Sequence, residues 1–210
     1  MADDKTTDID LLAECVGGLT IQPPWPQTIV FGPKRIENRT WRPPDKIRGG
    51  RIAVGVSQSK DDDAWAAAIV GHDDPWGEYG PMPVDGDLDR NERQDVILER
   101  HHPGHIIGTV QIVGWCHPEE GRGMCIGKTK KCGIEKVGKW TEHAHKIRDG
   151  GEFGRPEYDN DLVTSDPWYA GPIAWLLDDP QPLDEPVPVR GMPGIWGVQT
   201  QIGKAREAQS

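Results

Sequence analysis

The chain has 210 residues, enough for one domain with a sizeable core, yet only 35% are hydrophobic and the mean hydropathy is −0.64. No apolar run is long enough to cross a bilayer, and the acidic opening MADDKTTDID lacks the basic-then-apolar pattern of a secretory signal. The expectation is therefore a soluble, cytoplasmic protein with no membrane partner. A net charge of −10 speaks against indiscriminate polyanion binding, while 26 Gly and 19 Pro exclude a helical bundle in favour of many turns around a compact body.

In chain order, residues 1–8 read as a disordered leader and 9–203 as a single domain. TDIDLLAECVGG predicts a short helix, capped by Thr7 or Asp8 and ended by Gly17-Gly18. GLTIQPP predicts a strand stopped by Pro23 and Pro24, and WPQTIVFG a helical turn closed by Gly32. RIAVGVSQ (51–58) is β-branched enough for a buried strand. DDDAWAAAIVG carries helix signals: acidic residues at its start, an Ala-rich interior and Gly71 at its end. Residues 72–95 are full of breakers and read as a loop, and DVILERHHPG as a brief helix. HIIGTVQIVGWC (105–116) is the strongest strand in the chain. Residues 117–166 are polar, Gly-rich and charged. IAWLL then predicts a strand, 180–188 a Pro-rich connection, and GMPGIWGVQTQI a closing strand. Short strands among Pro/Gly loops, with two or three helices, predict an α+β fold built on a small β-barrel.

Charge is unevenly distributed. Residues 34–51 carry a local +5 and residues 122–148 a local +6, which leaves the remainder at about −21. Two basic tracts on an acidic body suit either a cationic cleft or solvated loops. Nine Trp supply much of the apolar area, and flat rings serve cores and stacking clefts equally.

Residues 19–58, LTIQPPWPQTIVFGPKRIENRTWRPPDKIRGGRIAVGVSQ, carry Pro24-Trp25, then Gly32, Lys34, Glu37 and Arg39 in a G-x-K-x-x-E-x-R arrangement, then Trp41-Arg42, Gly50-Arg51 and Ser57-Gln58. This order resembles the ASCH domain, a branch of the PUA-like superfamily. HIIGTVQIVG, DPWYAGPIAWLLDDPQPL and VRGMPGIWGV resemble the family's later strands, with about 72–100 and 117–165 as insertions. The resemblance implies a PUA-like β-barrel with a few flanking helices, and a cleft beside the Lys-Glu-Arg segment that binds RNA, single-stranded nucleic acid or a nucleotide. Some relatives are binding modules; others are hydrolases, among them ribonucleases and a small amidohydrolase that deacylates acetylcytidine. That amidohydrolase has Thr where Glu37 stands here.

Lys34 and Glu37, three apart, are within salt-bridge reach if the segment is helical or tightly turned. Lys34 follows the Gly32-Pro33 loop and is expected at a barrel rim, as a phosphate contact or, if the chain is an enzyme, as a base assisted by Glu37. Arg39 and Arg42 offer planar forks for phosphate or stacking. Trp25 and Trp41 are candidate stacking rings or packing residues, and Ser57 and Gln58 candidate ligand contacts or turn caps. Lys130 and Lys131 represent the second basic tract as an extension of the cleft. Cys116, His117, Cys125 and Cys132 number enough for a zinc site, but they contain no C-x2-C knuckle, and no metal or other cofactor is expected. Three functions remain open at this point: a nucleic-acid-binding domain, a hydrolase using the same cleft, and a module whose acidic surface docks a protein partner.

Overall fold

The computed structural model describes residues 7–32, 34–60, 100–117, 122–125, 163, 166, 168–190 and 192–209, with 122–125 and 204–209 described by backbone alone. The expected helix at 61–71, the loop at 72–95, the first half of the segment 95–104 and most of 117–166 lie outside these residues. So do residues 1–6 of the expected leader. The described residues form an α+β fold with a mixed β-sheet and short helices. They fall into two compact units. The first comprises Met1–Pro33, Arg51–Val110 and Pro180–Ser210, and the second Lys34–Gly50 and Gln111–Asp179.

The first unit opens with helix α1 (Asp8–Ala13). The Thr7 side chain caps it, accepting from the Asp10 N–H at 3.2 Å while Asp10 reaches back to the Thr7 N–H, a reciprocal capping box. Thr7 and Asp8, expected in the leader, thus belong to the capped start of this helix. The helix also stops earlier than Gly17-Gly18, because strand β1 (Cys15–Ile21) already includes both glycines. Helix α2 (Trp25–Val30) follows and is buried from Pro26 to Val30. Strand β3 (Arg51–Val56) runs parallel to β1 and is buried from Ile52 to Val56, as a strand covered on both faces must be. In this unit hydrogen-bonded neighbours follow the order β6-β4-β3-β1-β7, with β4 (His105–His117), β6 (Ile173–Pro188) and β7 (Ile195–Trp196).

Two of these strands carry their chemistry in small details. In β6, prolines 180, 182, 186 and 188 fall on alternate positions, so the missing N–H groups all lie on one side of the strand. The intervening residues keep theirs, and just past the strand the Val189 N–H donates to the Gly104 carbonyl at 2.8 Å. The Pro-rich passage expected to be a connection is therefore part of a 16-residue strand. Further along, the Asp184 and Glu185 N–H groups donate to the two carboxylate oxygens of Asp8 at 2.9 and 3.0 Å, which ties the strand to the start of α1.

The expected closing strand is likewise mostly something else. Only Ile195–Trp196 is extended, and Val198–Gln209 forms helix α3. Val198 and Gln201 are buried and Ile202 is half-buried, the i, i+3, i+4 spacing of a helix face. Val198 packs in a core with Leu12, Cys15, Ala53, Ile106, Leu183 and Trp196.

The second unit contains β2 (Ile36–Arg39), the ends of β4 and β6 that continue from the first, and β5 (Arg122–Cys125). β2 pairs antiparallel with β6, Ile36 opposite Leu176 and Glu37 opposite Trp175, and β5 pairs antiparallel with β4. Its interior includes Ile36, Ile47, Ile112, Trp115, Trp168, Trp175 and Leu176. Among the described residues, no helix is long and apolar enough to cross a membrane.

Gly18 is fixed by a close approach. A Cβ there would stand 2.4–2.6 Å from three carbons of the Trp196 ring. Gly18→Ala is therefore expected to destabilise the fold by about 1–3 kcal/mol, the usual cost of overpacking. Gly203→Ala in α3, where a Cβ meets nothing within 4 Å, should instead stabilise it by about 0.5–1 kcal/mol. Urea unfolding of the two variants beside the parent checks both signs.

Candidate functional site

The Lys-Glu-Arg segment forms a buried ion cluster in the second unit. Lys34 is 2% and Glu37 6% exposed. The Lys34 ammonium donates to the Ile36 carbonyl and stands 3.4 Å from Glu37 Oε2. Glu37 Oε1 accepts from Arg39 Nη2 at 2.9 Å. The segment is neither helical nor a tight turn. Glu37 and Arg39 share a face because they are two apart on a strand, and Lys34 reaches Glu37 from the coil before it. Buried Asp166 adds a further negative charge, and its carboxylate accepts from the Trp168 N–H at 2.9 Å.

Burial dominates the electrostatics of Lys34. It pulls the ammonium pKa below the ordinary lysine value, against the opposing pull of Glu37 and then Asp166, and Arg39 adds to the lowering. The expected rim position is corrected accordingly: Lys34 has almost no surface with which to meet a phosphate or a substrate. Its physical reason is that Glu37, with the Ile36 carbonyl, supplies partners inside the unit, so the charged head is held there. Arg39 is the member that keeps some exposure, 22% of its side chain.

Trp41 and Arg42 lie in the same unit. Trp41 is half-buried and meets Trp175 edge-on, with centroids 4.7 Å apart at 88°, and the Trp175 indole N–H donates to the Trp41 carbonyl at 2.9 Å. Packing is thus a large part of what Trp41 does. Arg42 is exposed, and its guanidinium carbon sits 5.3 Å above the Trp115 ring.

Trp25, Ser57 and Gln58 belong to the first unit. Trp25 opens α2 and is half-buried. Ser57 and Gln58 line a cavity of about 560 Å³, together with Thr20, Val56, Ser59, Gly104, Arg190, Met192 and Pro193. The cavity lies at the ends of β1 and β3, and the Ser57 N–H holds the turn after β3 in place by donating to the Ile21 carbonyl at 2.8 Å. Its polar lining is wired internally. The Ser59 N–H donates to Ser57 Oγ at 3.2 Å, Gln22 Nε2 donates to Ser59 Oγ at 3.3 Å, and the two serine hydroxyls are 3.0 Å apart. The Trp196 indole N–H donates to Thr20 Oγ1 at 3.0 Å.

The sequence reading did not single out Thr20, Ser59, Arg190 or Met192. Arg190 had a signal: it is the one Lys or Arg between residues 173 and 203. A cation kept alone in an acidic, Pro/Gly-rich stretch is a candidate contact. Thr20 and Ser59 had none, since hydroxyl residues near strand ends are ordinary.

The candidate zinc residues are only partly described. Cys116 is fully buried, which pushes its thiol up to about 11, and His117 ends β4. The β4–β5 ladder places Gly123 opposite Cys116 and Cys125 opposite Gly114. Cys132, Lys130 and Lys131 lie outside the described residues. Among the described residues, no three His, Cys, Asp or Glu side chains are grouped so as to hold a metal.

The chain matches no family model and no curated protein with which it was compared.

The buried cluster generates a stability prediction. Lys34→Ala should lower the unfolding free energy by about 3 kcal/mol, as expected when one partner of a buried ion pair is removed. Lys34→Met, which refills the space but leaves Glu37 equally without its ammonium partner, should cost only somewhat less. Because the folded-state pKa of Lys34 lies below its ordinary value near 10.5, the unfolded chain binds more protons between those two values, and stability gains there as pH rises. The Met variant should lose that alkaline gain, which unfolding curves across pH 8–11 would reveal.

Proposed function

We propose that this chain is an ASCH-type, PUA-like domain that binds a nucleotide unit, free or within single-stranded RNA, in the cavity at Ser57 and Gln58. The observation that carries the reading is the makeup of that cavity. Arg190 and three hydroxyl side chains line it with the Gln58 amide, and its described lining includes no carboxylate. Arg190 forms no ion pair among the described residues, so its guanidinium is uncommitted. A phosphate is the group such a fork suits best. The volume of about 560 Å³ falls within the range of small-molecule pockets, about 300–1,000 Å³, which suits one nucleotide and not a run of them.

Binding is favoured over hydrolysis for a chemical reason. The described lining includes no His, Asp, Glu, Lys or Cys, so it supplies no general base near neutral pH. Lys34 and Glu37, the catalytic pair expected if the chain were an enzyme, are committed to each other and buried. In this reading Lys34 and Glu37 hold Arg39 in place within the second unit.

Fluorescence anisotropy with short single-stranded RNAs, and calorimetry with nucleoside monophosphates, test this directly. Arg190→Ala should weaken binding at least about tenfold, the value of one charge-assisted contact, with the melting temperature unchanged because Arg190 is exposed. Binding that survives Arg190→Ala undiminished would move the ligand elsewhere. Multiple turnover of an RNA by the purified protein would restore the hydrolase.

A further inference from the structure

The proposed cavity has a polarity that follows from which lone pairs and protons are already used. Thr20 Oγ1 accepts the Trp196 indole N–H, and no described residue accepts the Thr20 proton. The Trp196 ring has little freedom to release it. It lies against Gly18, where a Cβ would come within 2.6 Å of three of its carbons, and against Gly55, where a Cβ would come within 3.3 Å of one. With Trp196 3% exposed and its N–H directed at Thr20, one lone pair of the hydroxyl is taken, and its proton is left to donate toward the cavity.

The serines lead to the same result. Ser57 Oγ accepts from the Ser59 N–H, and Ser59 Oγ accepts from Gln22. One serine hydroxyl donates to the other across 3.0 Å, so one proton of the pair is left to donate outward. The cavity therefore offers a threonine hydroxyl, a serine hydroxyl and the Arg190 guanidinium, with the Gln58 amide beside them. The Arg190 charge, with hydroxyl donors beside it and no carboxylate in the described lining, matches an oxyanion with several acceptor oxygens. A neutral base edge gains far less from that charge and is a poorer match.

We infer that the cavity reads a terminal phosphate, the monoester at the 5′ end of an RNA or of a nucleoside monophosphate, and discriminates against the same molecule ending in a hydroxyl. This rests on the nucleotide-binding reading above and adds to it the group recognised. A terminal phosphate carries about −1.5 to −2 charge and three acceptor oxygens, against one charge and two free oxygens on an internal diester. Trp196 is a positioning residue in this scheme: it touches no ligand and acts by fixing the direction of the Thr20 proton.

The test compares two forms of one RNA hexamer, 5′-phosphorylated and 5′-hydroxyl, by anisotropy, with inorganic phosphate as competitor. Wild-type protein should prefer the phosphorylated form by about tenfold or more, the scale of a charge-assisted contact. Thr20→Val and Trp196→Phe should both erase most of that preference, and Thr20→Ser, which keeps the hydroxyl, should restore it. The serine variant also guards against loss of fold, since it retains the acceptor for the Trp196 N–H. Equal binding of the two RNA forms by wild type would overturn the terminal-phosphate inference while leaving nucleotide binding intact. Failure of both forms to bind would overturn both readings. Inorganic phosphate that displaces the hexamer at the hexamer's own dissociation constant would show a general oxyanion site and overturn the assignment to a nucleotide end.

Discussion

The contact between the Trp196 ring and the glycine backbone of β1 and β3 is the constraint on which the first unit depends. A two-residue strand has too few hydrogen bonds to hold its own register. β7 is held because its indole lies where side chains of Gly18 and Gly55 would otherwise be. With Trp196 fixed, Ile195 pairs with Leu19, and Val198 two residues on begins α3 against Leu12 and Ile106 in the core. The same ring carries a single polar atom, and that N–H is spent on Thr20 at the cavity. One side chain thus links the packing of the sheet to the polarity of the candidate site. A ring that packs by area and binds by one hydrogen bond is what tryptophan supplies and phenylalanine does not.

Charge in this chain is divided between two environments with different consequences. Lys34, Glu37 and Asp166 are withdrawn from water, where each ion needs a partner and the net gain over an apolar substitute is small. Such a cluster specifies geometry: it holds Arg39 at a defined place on β2. Arg190 is exposed, and no described carboxylate neutralises it. An arginine in that state keeps its donors for a ligand. In the proposed reading the ligand contact therefore falls to an arginine more than 150 residues after the lysine that the motif emphasised.

How far the sequence could be read follows from whether a signal was local. RIAVGVSQ and HIIGTVQIVGWC were legible as β3 and β4 because dense β-branched residues leave little alternative. IAWLL likewise marked the start of β6. Its continuation was not legible, because prolines that stop a central strand are tolerated along one side of a strand edge, and only the pairing partner reveals which case applies. Gly17-Gly18 read as a helix stop for a similar reason: a glycine required by a ring 178 residues away looks the same in sequence as one required by a turn. The end of the chain was misread in a recoverable way, since Val198, Gln201 and Ile202 already carry helical spacing. Ser57 and Gln58 drew attention because they end a legible strand; they line a cavity of the first unit, while Lys34, Glu37 and Arg39, with which the motif grouped them, belong to the second.

By itself the sequence determined the α+β class, the positions of the densest strands, a helix cap at Thr7 or Asp8 and the concentration of positive charge in residues 34–51. Those are properties of neighbouring residues, and neighbouring residues are what local propensity and periodicity record. Tertiary structure alone decided that Lys34 is buried against Glu37, that the Pro-rich segment is a strand, and that Thr20, Ser57, Ser59 and Arg190 share one cavity. The physical reason is the same each time. Burial and pairing are set by partners far away in the chain: Lys34 and Glu37 are three apart, but Asp166 and the strand β6 that pairs with β2 come more than a hundred residues later, as Trp196 does for Thr20.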